Sequence, residues 1–159
     1  MSEPRVDQKG IIVTCPACSR PNRLGFGSLG RATRCGHCKE PLALPSSPIE
    51  IPDAAAFDAI ASSTLPLIVD FWAPWCAPCR MVAPELERVA RQVQGRYLVV
   101  KVNTDQAQDL AGRFRISSIP TLAIVHHGRE IQRVAGARSA AEIIELADRS
   151  MAEHARRAS

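Results

Sequence analysis

Residues 67–80 read Leu67-Ile68-Val69-Asp70-Phe71-Trp72-Ala73-Pro74-Trp75-Cys76-Ala77-Pro78-Cys79-Arg80. The apolar run that opens this stretch has the length and side chains of a strand buried on both faces. Beyond it, Val82, Leu86, Val89 and Val93 recur at helical spacing. The two cysteines therefore fall where a strand ends and a helix begins. The first turn of a helix offers unpaired N–H groups and the positive end of the macrodipole, and both favour an anion. A thiolate at Cys76 suits that place, because a helix N-terminus and C-x-x-C spacing lower a thiol pKa from its free value of about 8.5. Cys79 lies one helical turn on, within reach of a mixed disulfide formed at Cys76.

Asp70 breaks the apolar run. Burial disfavours a charged carboxylate, so its pKa should rise. Strand alternation puts Asp70 and Trp72 on one face. A structural acid paired with a lysine is one reading. A proton acceptor for Cys79 is the other, and we favour it because perturbed buried acids beside a nucleophile mark working sites.

Outward from this stretch, strands and helices alternate. Ile49-Glu50-Ile51 reads as a short strand, and Asp53 caps a helix over Ala54–Ala61 with Phe57 and Ile60 inward. Pro84 should kink the helix after Cys79, and Gly95 ends it. A strand follows over 97–102, a short helix over 106–114 and a strand over 121–125. His127-Gly128 makes a hairpin turn into a partner strand over 130–135. Ser139-Ala140-Ala141-Glu142 fits a capping box for a last helix that buries Ile143, Ile144, Leu146 and Ala147, with 153–159 fraying. The order predicts an α/β fold with a mixed central sheet flanked by helices.

The six cysteines form three C-x-x-C pairs. Cys15/Cys18 and Cys35/Cys38 stand sixteen residues apart, a spacing suited to a four-cysteine zinc site of the ribbon type. Ile11–Thr14 reads as a strand feeding the first pair, and residues 20–30 read as loop. So small a segment lacks apolar residues for a core of its own and calls for a metal. Cys35-Gly36-His37-Cys38 could instead be a second redox pair, but no apolar strand precedes it and Pro41 follows. With four thiols present, His37 reads as an exposed turn residue rather than a ligand. The expected organisation is a metal module over 1–45, a proline-rich linker over 46–52 and the α/β domain over 53–159.

Composition is that of a globular protein, 46% hydrophobic and 23% charged, with no apolar run long enough to span a membrane. The polar N-terminus lacks the apolar core of a secretory signal, so a cytoplasmic location is expected, and there thiol pairs serve metals or catalysis. The formal net charge of +4 lies entirely within residues 1–45. Phe26 is the only aromatic near those basic residues, which argues for a solvated face and against nucleic acid.

The stretch Val69-Asp70-Phe71-Trp72-Ala73-Pro74-Trp75-Cys76-Ala77-Pro78-Cys79-Arg80 resembles the active-site stretch of thioredoxins, and the element order over 48–152 is similar to the thioredoxin fold. Two further cysteine pairs in front resemble the zinc-binding thioredoxins of bacteria, the thioredoxin-2 type. The resemblance implies a protein-disulfide reductase using Cys76 and Cys79. It would carry one structural Zn²⁺ and no bound organic cofactor, and a thioredoxin reductase would recharge it with electrons from NADPH. Its expected partners are disulfide-containing proteins and that reductase, and a monomer is expected. Asp70 matches the family's buried aspartate and Lys101 its lysine neighbour. Pro120 matches the cis-proline facing the cysteines; the Ile119 backbone would pair with a substrate strand, with Gly136 alongside. Trp75, Ala77 and Pro78 would complete the groove, while Trp72 is a packing residue. Ala77 departs from the glycine most thioredoxins carry, which touches the potential and not the mechanism. Arg80 keeps the positive charge many relatives place there. The alternative is a zinc-ribbon binding or chaperone module on a thioredoxin scaffold. A third possibility, compatible with the first, is metal release on thiol oxidation.

Overall fold

The computed structural model describes residues 3–158. The chain begins with two small antiparallel units. One contains β1 (Arg5–Val6), β2 (Gly10–Thr14) and β3 (Pro21–Gly25), and the other β4 (Thr33–Arg34) and β5 (Pro41–Leu42). β3 departs from the loop expected over 20–30. Pro21–Gly25 pairs with β2 along its whole length, and Pro21 takes the first strand position, where its missing N–H is tolerated. Gly10 allows β2 and β3 to approach closely, because a Cβ there would lie 2.3 Å from the Leu24 carbonyl oxygen.

The main sheet has five strands: β6 (Ile49–Glu50), β7 (Leu67–Trp72), β8 (Leu98–Asn103), β9 (Thr121–His126) and β10 (Arg129–Ala135), in the order β10-β9-β7-β8-β6. β7 runs parallel to β8 and antiparallel to β9, and it occupies the centre, as its unbroken apolar run requires. Ile49–Glu50 pairs in parallel with Val100 and Lys101. The stretch expected as a linker over 46–52 thus contributes a strand to the sheet.

Two helices cover one face. α2 (Ala77–Gln92) and α4 (Ala140–Ala158) bring Val82, Leu86, Ile143 and Ala147 against Ile68, Val99, Leu122 and Ile124. On the other face, α1 (Ala54–Ala61) and α3 (Gln108–Arg113) bring Phe57, Ile60 and Leu110 against Val69, Phe71, Val100 and Ala123. Ile11, Leu24 and Leu29 belong to this second cluster. The N-terminal segment does lack a core of its own, and it shares that of the sheet.

Local signals explain the ends. Asp53 Oδ1 accepts from the Ala56 N–H at 2.9 Å, capping α1. Ser139 and Glu142 exchange two hydrogen bonds of 3.2 Å, the capping box of α4. His127 and Gly128, at φ +52° and +77°, turn β9 into β10. The fraying expected over 153–159 does not occur within the described residues: α4 runs on to Ala158. His154 packs edge-on against His126 with centroids 5.8 Å apart, which secures that last stretch.

Candidate active site and cysteine cluster

β7 delivers the chain to the cysteines. The Thr104 N–H donates to the Trp72 carbonyl at 2.8 Å and fixes the end of the strand. Cys76 is the N-cap of α2: its backbone is extended, and its Sγ accepts from the Cys79 N–H at 3.2 Å. Cys76 and Cys79 are joined in a disulfide with Cα atoms 5.2 Å apart. Ala77 and Pro78, between them, are exposed, and Pro78 stands in the first turn, where a missing N–H costs nothing. Pro84 lies inside α2, as expected from the sequence.

The peptide bond Ile119–Pro120 is cis, and the Ile119 carbonyl oxygen lies 3.8 Å from Cys76 Sγ. The Gly136 N–H donates to the Pro120 carbonyl at 2.8 Å, with Gly136 at φ +94°, a region that favours glycine. The Cys79 N–H and the Ile119 carbonyl oxygen, from two separate stretches, thus meet at the Cys76 sulfur. Trp75 is 67% exposed, and its indole N–H donates to Asp105 Oδ2 at 3.0 Å. Arg80 donates to the Pro74 carbonyl at 3.1 Å, bracing the turn before Cys76.

Asp70 is 1% exposed, and its Oδ1 has no hydrogen-bond partner among the described residues. Burial pushes its pKa up to about 7; the Lys101 charge opposes the rise and Glu50 adds to it. Asp70 faces Lys101 in register across β7 and β8. The Lys101 ammonium stands 4.3 Å from the centroid of the Trp72 ring, a cation–π contact. Trp72 is therefore more than filler: its indole N–H also donates to Glu50 at 3.3 Å.

Sequence reasoning missed Asp105 and Glu50. Asp105 stood just past the carboxyl end of a strand parallel to β7, where α/β sheets place their sites, and that was the available signal. Glu50 carried no such signal, since its partner is a tryptophan twenty-two residues away.

The four N-terminal cysteines come together. Cys15 Sγ lies 3.6 Å from Cys38 Sγ and Cys18 Sγ 3.6 Å from Cys35 Sγ, with all four sulfurs within 4.8 Å of one another. A tetrahedron of metal–sulfur bonds of about 2.3 Å has edges of about 3.8 Å, so this donor set fits Zn²⁺. Each pair sits on the same turn. The Ser19 N–H donates to the Cys15 carbonyl and the Lys39 N–H to that of Cys35, and Ser19 and Lys39 take φ +63° and +66°. The Cys38 backbone N–H, the Asn22 amide and the His37 backbone N–H lower the Cys35 pKa to about 5, whereas burial and the neighbouring thiols raise those of Cys18 and Cys38, so the four thiols favour a single thiolate at Cys35. His37 is exposed, as expected of a turn residue.

A disulfide at a helix N-terminus, itself nearly buried but flanked by the exposed Trp75, Ala77 and Pro78, can exchange two electrons with a second disulfide, and that chemistry makes this chain a thiol–disulfide oxidoreductase. Comparison with known proteins agrees. The thioredoxin family matches residues 48–149. Thioredoxin C-3 of Corynebacterium nephridii is 34% identical over 142 residues, covering 89% of this chain and 96% of that protein, so the likeness reaches into the cysteine-rich segment. The bifunctional thioredoxin reductase/thioredoxin of Mycobacterium leprae is 40% identical over 96 residues, 60% of this chain and 21% of that protein. Among solved structures, chloroplastic thioredoxin z superposes with a TM-score of 0.60 at 38% identity, covering 67% of this chain and 96% of that one. The chain belongs to the thioredoxin family. Among the described residues no helix is long and apolar enough to cross a membrane.

Proposed function

We propose that the chain is a cytoplasmic protein-disulfide reductase. The Cys76 thiolate attacks one sulfur of a substrate disulfide. That bond breaks, the other substrate sulfur leaves as a thiolate, and a mixed disulfide forms. Asp70 accepts the proton of Cys79, with Lys101 as its charged neighbour on the adjacent strand. The Cys79 thiolate then attacks Cys76 Sγ, closes the Cys76–Cys79 disulfide and expels the second substrate thiolate. Two electrons have passed to the substrate. NADPH restores them through a thioredoxin reductase, a partnership supported by the relative that carries both names in one chain.

In this reading Trp75, Ala77, Pro78, Ile119, Pro120 and Gly136 form the substrate groove, which binds an extended segment through its main chain. Cys15, Cys18, Cys35 and Cys38 hold one structural Zn²⁺ in a metal module over residues 1–45, and the protein works as a monomer. The observation that carries the reading is the Cys76–Cys79 disulfide capping α2, with the Ile119 carbonyl 3.8 Å from Cys76 Sγ.

The test is metal per chain by elemental analysis beside a count of titratable thiols in native reduced protein, followed by turnover of a disulfide-bonded protein substrate. One zinc, two reactive thiols and turnover lost in Cys76→Ser is the expected result. Turnover retained in Cys76→Ser overturns the reductase; six reactive thiols and no zinc overturn the metal module.

A further inference from the structure

Three neighbouring strands carry an acid, a lysine and an acid at one level. Glu50 of β6 faces Lys101 of β8, and Lys101 faces Asp70 of β7. In-register partners project to the same face of a sheet, so the row runs from exposed Glu50, past half-buried Lys101, to buried Asp70. Among the described residues no ion pair joins Lys101 to either carboxylate. Its ammonium instead rests over the Trp72 ring at 4.3 Å, and that ring is anchored by its N–H to Glu50 at 3.3 Å. The row opens at the sheet edge into a cavity of about 770 Å³, lined by Glu3 and Arg5 from the N-terminal segment, Glu87 from α2, Glu50 and Lys101. Asp70, Glu50, Lys101, Glu3, Arg5 and Glu87 are thus the charged groups of this region.

We propose that Glu50 is a positioning residue for the dithiol chemistry: it fixes the Trp72 ring as a rest for the Lys101 ammonium and withholds that charge from Asp70. The buried carboxyl then remains able to take up a proton near neutral pH. Two effects act in the same direction. The Glu50 charge repels ionisation of Asp70 from two strand spacings away, about 10 Å. The anchored indole also holds Lys101 off the carboxyl, where it would stabilise the anion. This proposal rests on the reading of Asp70 as proton acceptor and adds the residue that tunes it.

The test follows the infrared carbonyl band of the protonated Asp70 carboxyl against pH in the oxidised full-length chain, with Asp70→Asn as the blank. Glu50→Gln keeps an acceptor for the Trp72 N–H and removes the charge; it should lower the titration midpoint by about half to one pH unit. Glu50→Ala also frees the indole and should lower it further, whereas Glu50→Asp keeps the charge and should stay near wild type. A midpoint unmoved or raised in Glu50→Gln and Glu50→Ala overturns the proposal. The pH profile of disulfide reduction separates this outcome from failure of the underlying reading. If Asp70→Asn leaves that profile unchanged, the acceptor role itself falls. If Asp70→Asn alters it while Glu50→Gln leaves the midpoint in place, only the Glu50 role falls.

Discussion

Replacing Asp70 by alanine should stabilise the oxidised protein, and by an amount that depends on pH. Below about pH 4 the carboxyl is neutral in both folded and unfolded chains and contributes no difference. Between about pH 4 and 7 the unfolded chain releases the proton while the fold retains it, because burial pushes the Asp70 pKa from 3.8 up to about 7. The unfolded state then binds fewer protons, so wild-type stability falls as pH rises through this window. Above it both states are ionised and the full penalty applies. A shift of about 3 units corresponds to about 4 kcal/mol. Removing the carboxyl leaves a small void worth about 1 kcal/mol, so the net gain at pH 8 should be about 3 kcal/mol. Urea unfolding of wild type and Asp70→Ala, both oxidised, at half-unit steps from pH 4 to 9 measures it. The difference should be near zero or negative at pH 4, grow to pH 7 and then level off. A difference that stays flat with pH, or a variant less stable at pH 8, would refute the assignment of a buried, unpaired carboxyl.

Cys79→Ser should stop after the first step and accumulate a mixed disulfide with substrate, seen as a mass adduct that dithiothreitol removes; free turnover would contradict the resolving role. Asp105→Ala removes the acceptor of the Trp75 N–H and should raise KM for a protein disulfide about fivefold, the equivalent of one hydrogen bond of about 1 kcal/mol, with little change in kcat. An unchanged KM would show that the Trp75 rotamer needs no anchor. Cys35→Ser should abolish zinc retention and lower Tm, since ligation energy is folding energy; an unaltered Tm would separate the cluster from stability. Ser139→Ala should cost about 1 kcal/mol through loss of the capping box of α4, read by urea unfolding.

The parts of this fold that were legible in advance are those where local chemistry and tertiary context agree. Leu67–Trp72 reads as a central strand because both of its faces are buried, and the end of that strand sets Cys76 at a helix cap. The capping residues Asp53 and Ser139 announced their helices through side chains that satisfy free N–H groups. The strand Pro21–Gly25 was hidden, since its residues have no alternation and are held by pairing with β2. The course of α4 beyond Ala152 was hidden for a similar reason: the contact between His126 and His154 is made across a distance in sequence. The cysteine spacing announced a cluster, but not that Ile11, Leu24 and Leu29 would enter the core of the sheet. Asp70 was visible as an acid in an apolar run, whereas the Glu50, Trp72 and Lys101 arrangement around it depends on strand order.

That shared core bears on how such a chain can be taken apart. Ile11, Leu24 and Leu29 close over the same cluster as Ile49, Phe57 and Ile60. A chain cut before Ser46 would turn a buried surface outward and invite aggregation. The ribbon is consequently no detachable cassette. Grafting it onto another carrier would succeed only where that carrier offers a matching apolar face, and the two halves are expected to melt in a single transition.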